Sequence, residues 1–97
     1  MSYADEIKEK LLKVKPELSR RFNVSSLGLF GSVLRPDFSP ETSDIDIVVD
    51  FSKPIGIEFI DLADFLEHYM QRKVDLVSRA GIKEKYFNQI QSQIFYV

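Results

Sequence analysis

Between Asp5 and Val14 the apolar residues Ile7, Leu11 and Val14 fall near i, i+4 and i+7, with lysines and glutamates between them. That spacing predicts an amphipathic helix. Pro16 lacks the amide hydrogen that an interior turn needs, so the helix is expected to end or kink there. Glu17–Phe22 would add another turn or two, with Leu18 and Phe22 pointing inward. The short apolar run Ser26-Leu27-Gly28-Leu29-Phe30 predicts a first strand. Gly31-Ser32 interrupts it, and Val33-Leu34-Arg35 is expected to form a brief helical turn. Pro36–Ser43 holds two prolines, two serines and two acids in eight residues, which is loop chemistry.

The clearest strand is Asp44–Asp50. Ile45, Ile47 and Val49 share one side, and Asp44, Asp46, Val48 and Asp50 share the other. After a turn at Lys53-Pro54, a helix is predicted from about Ile57 to Gln71, with a stripe of Ile57, Ile60 or Asp61, Leu62, Phe65, Leu66 and Tyr69. Lys73–Ser78 reads as a third strand. Gly81–Gln93 reads as a last helix with Ile82, Tyr86, Ile90 and Ile94 inward. The order α-β-β-α-β-α predicts an α/β (α+β) fold, a small mixed sheet flanked by helices. The passage from second strand to third through a helix is expected to be a right-handed crossover.

Ninety-seven residues suit a single domain over 1–97 with one modest core. A composition of 44% hydrophobic and 29% charged residues is that of an ordinary globular chain. The net charge of −2 argues against direct nucleic-acid binding or a bulk grip on an anionic membrane. Without cysteine there is no thiol nucleophile, disulfide or thiolate zinc site, and one histidine, His68, cannot build a multi-histidine metal site. Any metal would be held by oxygen, which points to Mg²⁺ or Mn²⁺ on carboxylates. The opening MSYADEIKEK has no apolar signal core, and no run approaches a membrane span, so the expected location is the cytoplasm.

The candidate chemistry lies on the second strand. Asp44 and Asp46 project from one face about 7 Å apart. Carboxylates so placed can straddle two divalent cations at the ~3.5–4 Å spacing of phosphoryl and nucleotidyl transfer. A lone Asp-x-Asp is more often just the polar side of a strand. Two neighbours change the weighing. Gly31-Ser32 follows the first strand, where freed backbone amides and the serine hydroxyl can turn toward a phosphate, although Gly-Ser is also a common turn. Asp75 is a third acid amid Val74, Leu76 and Val77. If buried it would demand a cation or hydrogen bonds; otherwise it faces water or pairs with Lys73 or Arg72.

Together, LGLFGSVLRPDFSPETSDIDIVVDF and the later RKVDLVS resemble the minimal nucleotidyltransferases of the polymerase-β superfamily, the small antitoxins paired with HEPN-domain toxins in prokaryotic toxin–antitoxin modules. The resemblance runs from about Leu11 to Tyr96. It rests on Gly31, Ser32, Asp44, Asp46 and Asp75, although the stretch between Ser32 and Asp44 is one residue longer than the family's usual spacing and its loop lacks a glycine. The resemblance implies a polymerase-β-like fold and AMP transfer from ATP. Asp44 and Asp46 would hold two Mg²⁺ ions. The Gly31 amide and Ser32 would fix the terminal phosphates. Asp75 would bind the catalytic metal and help deprotonate the acceptor, a tyrosine hydroxyl of the HEPN-type toxin. Such chemistry rests on positioning and charge neutralisation, which cations and carboxylates supply without histidine or cysteine.

Two alternatives stand beside this expectation: a non-catalytic antitoxin that neutralises its partner by occlusion, and nucleotidyl transfer to a small molecule. Three acids aimed at one point favour an enzyme over a pure binder. So short a chain leaves little wall for a second small-molecule pocket. Arg35 is expected to be a solvated loop residue, Asp50 a turn residue and His68 a partly exposed helix residue. Lys8-Glu9-Lys10 and Lys83-Glu84-Lys85 are solvated helix faces. The aromatics Phe59, Phe65, Tyr69, Tyr86, Phe87, Phe95 and Tyr96 sit at core spacing, some of them candidates for a homo-oligomer or partner interface.

Overall fold

A computed structural model describes residues 2–39 and 42–97; Pro40 and Glu41, within the expected loop Pro36–Ser43, lie outside the described residues. Helix α1 (Tyr3–Phe22) starts from a capping box in which the Ser2 hydroxyl accepts from the Asp5 amide at 3.1 Å and the Ser2 amide donates to the Asp5 carboxylate. Such reciprocal caps satisfy amides that the first turn leaves unpaired and stabilise a helix by about 1 kcal/mol. Ala4, Ile7, Leu11, Val14, Leu18 and Phe22 form its buried stripe. The helix runs through Pro16 rather than ending there. Pro16 and Leu12, whose carbonyl loses its donor, both lie on the exposed side, where water can serve that oxygen. Asn23 closes the helix at φ 59°, a left-handed conformation that asparagine tolerates.

Strands β1 (Val24–Phe30), β2 (Ile45–Phe51), β3 (Val74–Ser78) and β4 (Phe95–Tyr96) form one sheet in the order β3-β2-β1-β4. β1 is antiparallel to β2 and β4, and β2 is parallel to β3 through helix α2 (Glu58–Met70). The register pairs Leu29 with Ile47 and Leu27 with Val49 on one face. That face joins the α1 stripe and Leu62, Leu66 and Met70 of α2 in the main core. Each large side chain buried there contributes roughly 1.5–3 kcal/mol. Ile57 and Ile60 are exposed, so the inward stripe of α2 is narrower than its apolar pattern suggests.

The opposite face carries Gly28, Phe30, Asp46, Val48 and Asp75. Helix α3 (Glu84–Ile90) lies on part of it: Phe87 and Val48 line a common crevice, and the Arg79 guanidinium stacks on the Phe87 ring at 3.5 Å. Here the expected Gly81–Gln93 helix is corrected. Its ends are 3₁₀ turns, Arg79–Gly81 and Gln91–Gln93, and Phe87 rather than Tyr86 is the buried aromatic. β4 extends the expected order of elements by one strand, and Tyr96 faces Gly28. A Cβ at Gly28 would sit 2.5 Å from Ile94 Cγ2, so the glycine lets the last segment close onto β1.

Candidate active site

The crossover through α2 brings the third acid home. Because β2 and β3 are parallel, with Asp46 paired to Asp75, the two carboxylates stand side by side on one face, and Asp44 lies two residues earlier on that same face. Asp46 is also opposite Phe30, the last residue of β1. The chain leaving β1 turns at once into the 3₁₀ segment Gly31–Leu34, which sets Gly31 and Ser32 beside Asp46. All five residues singled out in the sequence therefore meet at one end of the sheet, on the side away from α1 and α2.

Gly31 has φ 74°, a conformation L side chains rarely adopt, and a Cβ built there would collide with Oδ2 of Asp46. The glycine is needed both for its backbone and for the space it leaves. Asp44 and Asp75 are exposed, while Asp46 and Ser32 are half-buried. Of the two readings of Asp75, buried or facing water, the second holds: edge strand β3 leaves it open to water, and the side chain beside it is the Asp46 carboxyl.

Removal from water, the charges of Asp75 and Asp44, and a hydrogen bond with Asp75 push the Asp46 carboxyl up from 3.8 to about 6; the Ser32 amide pulls the other way. Between those pH values folded Asp46 holds a proton that the unfolded chain releases. Its contribution to stability is therefore complete below about pH 4 and lost as pH rises through about 6. Discounted for partial exposure, the cost at neutral pH is about 1–1.5 kcal/mol. In metal-chelated buffer at pH 7, Asp46→Asn should raise Tm by roughly 5 °C, with the gain shrinking toward pH 4. A variant no more stable than the parent at pH 7 would contradict this electrostatic picture.

Among the described residues no group of three or more carboxylates or histidines closes into a metal cage. The acids form an open row instead, and none of the ion pairs among the described residues includes them. An oxygen-only donor set with mutual repulsion at its centre fits a hard divalent cation. Space nearby is limited. A cavity of about 660 Å³ lies at the far end of β2 and β3 between Phe51, Pro54, Phe59 and Ala80, and none of the three acids lines it. A cleft of about 280 Å³ opens beside Asp44, lined by Arg72 and Lys73. Sequence reasoning passed over these two basic residues as mere partners for Asp75; their place next to the acid row depends on the β2–β3 register. Arg35, Asp50 and His68 are exposed.

The nucleotidyltransferase domain family matches residues 11–95. Protein adenylyltransferase MntA of Thermococcus cleftensis is 37% identical over 94 residues, covering 96% of this chain and 94% of that protein. Two Methanocaldococcus jannaschii proteins, each named "Putative protein adenylyltransferase", are 43% identical over 83 residues (84% of this chain, 95% of the relative) and 37% identical over 99 residues, the whole of both chains. A crystal structure of the toxin–antitoxin pair MntA–HpeT, a variant with two aspartate-to-glutamate substitutions, contains a chain of the same fold. It has a TM-score of 0.66 at 22% identity and covers 96% of this chain and 70% of that one. With the matched region running from within α1 to the first residue of β4, the chain belongs to the nucleotidyltransferase domain family, and its chemistry is nucleotidyl transfer.

Proposed function

We propose that the chain is a single-domain, Mg²⁺-dependent protein adenylyltransferase that moves AMP from ATP to a tyrosine hydroxyl of a HEPN-type toxin and so acts as its antitoxin. The observation that carries this reading is the register that sets Asp46 between Asp75 and the Gly31–Ser32 corner, with Asp44 on the same face. Support for a protein acceptor comes from the relatives named protein adenylyltransferases and from the toxin–antitoxin neighbour. The two substitutions in that neighbour lie two positions apart, the spacing of Asp44 and Asp46. The small size of the cleft beside Asp44, about 280 Å³ among the described residues, also favours a macromolecular acceptor, whose own surface completes the site.

Asp44, Asp46 and Asp75 would hold the divalent ions, which when bound neutralise the charge of the triphosphate. The Gly31 amide and Ser32, through its hydroxyl, would orient the terminal phosphates. Asp75, the exposed acid on the β3 side, is placed to accept the acceptor's proton as its oxygen bonds to the α-phosphorus and the bond to pyrophosphate breaks.

The test is incubation with α-labelled ATP, Mg²⁺ and the toxin encoded beside this chain. Label should enter the toxin at a tyrosine, with pyrophosphate released. Millimolar ATP and Mg²⁺ should also raise Tm through ligand linkage. No label transfer and no Tm shift would reject the proposal. Toxin neutralisation without label would favour occlusion.

A further inference from the structure

The cleft beside Asp44 has no part in the mechanism above. Its lining of Thr42, Ser43, Asp44, Gln71, Arg72 and Lys73 sets two cations, two hydroxyls and an amide against a single carboxylate. The sheet explains why these groups lie there. The Ile45 amide donates to the Lys73 carbonyl at 3.0 Å, and Ile45 is paired with Val74. Lys73 is therefore level with Asp44 and two residues before Asp75. Val74 packs against the core, so by strand alternation Lys73 takes the acid side.

Arg72 is held next door by Glu67, whose carbonyl accepts the Arg72 amide at 3.3 Å and whose Oε2 accepts the Val74 amide at 2.9 Å. The Arg72 Nε is buried and, among the described residues, has no hydrogen-bond partner. None of the ion pairs among the described residues includes Arg72 or Lys73.

Asp44 and Asp46 on β2 divide the site in two. Gly31 and Ser32 stand on its β1 side; Asp75 and the basic cleft stand on its β3 side. If the donor's phosphates lie against the Gly31–Ser32 corner, what approaches Asp75 from the cleft side is the acceptor. We infer that the cleft is an acceptor subsite, in which Arg72 and Lys73 bind an acidic side chain close in sequence to the hydroxyl that is modified. This rests on the reading of the acid row as an adenylyl-transfer site, and it adds the chemistry of the partner: a hydroxyl-bearing segment flanked by carboxylates. Like-charged flanks would be turned away by the same two cations.

The test uses the full chain, α-labelled ATP, Mg²⁺ and two synthetic peptides with one internal tyrosine each, flanked by aspartates in one and by asparagines in the other. The acidic peptide should be labelled with a kcat/KM about ten-fold higher. That ratio should fall toward one in Arg72→Gln/Lys73→Gln and in the single variant Lys73→Gln, which covers the case in which losing Arg72 disturbs β3. Lys73→Arg should retain the preference, and KM for ATP should stay unchanged throughout. Equal labelling of the peptides, an unchanged ratio in the variants, or a raised KM for ATP in place of a lost preference would overturn the inference. So would no labelling of either peptide by a chain that ATP and Mg²⁺ still stabilise. Absence of that stabilisation in the unaltered chain would instead strike the adenylyl-transfer reading beneath it.

Discussion

Replacing both Asp44 and Asp46 with asparagine should lower adenylyl transfer by about 10³-fold or more while leaving the chain folded. Phosphoryl-type transfer depends on fixed charges that hold and neutralise the donor, and asparagine keeps the shape of each side chain while removing the charge. The fold should tolerate the change because both side chains project from the side of β2 opposite Ile45, Ile47 and Val49. In metal-chelated buffer the double variant should melt no lower than its parent, since it loses the repulsion at Asp46. Initial rates of label transfer and calorimetric melting settle both halves. Transfer within ten-fold of the parent, or a markedly lower Tm, would refute the assignment of these residues to chemistry rather than to packing. Toxin neutralisation in the same preparations shows whether occlusion alone suffices.

Gly31→Ala should damage stability and activity together. An alanine held at φ 74° costs roughly 1–2 kcal/mol, and its methyl group would drive the Asp46 carboxylate out of the row. For a chain of this size we expect Tm to fall by roughly 5–10 °C, and transfer to fall by about 10²-fold. A double-mutant cycle separates the two causes. In an Asp46→Ala background the collision is gone and only the backbone cost remains, so Gly31→Ala should be less destabilising there. Equal penalties in both backgrounds would mean that the methyl group finds room beside Asp46. A fully active, fully stable Gly31→Ala chain would remove the glycine from the account.

The legible parts of the molecule were those where period and chemistry agree. β2 alternates so cleanly that the sidedness of Asp44 and Asp46 follows from it. The pairing of Asp75 with Asp46 then needed only a parallel crossover, which the intervening helix pattern implies. β4 escaped notice because two residues have no period, and Phe95-Tyr96 follows directly on a turn that ends a helical pattern. Pro16 leaves ending and kinking both open from sequence; the helix runs on through it, where Pro16 and Leu12 lie on the exposed side. Tyr86 and Phe87 are adjacent aromatics, and which one turns inward is decided by the approach of Arg79 and the sheet, which no local pattern encodes. Arg72 and Lys73 look like routine flanking charges until the register sets them beside Asp44.

The alternation of β2 also divides labour along a single strand. Its odd-numbered residues from Ile45 to Val49 hold the domain together, and Asp44 and Asp46 stand on the opposite face, at the proposed site. Drift at those two acids would therefore silence the enzyme without unfolding it. A silenced duplicate would still fold, still offer its basic cleft, and rival the active copy for the same acceptor.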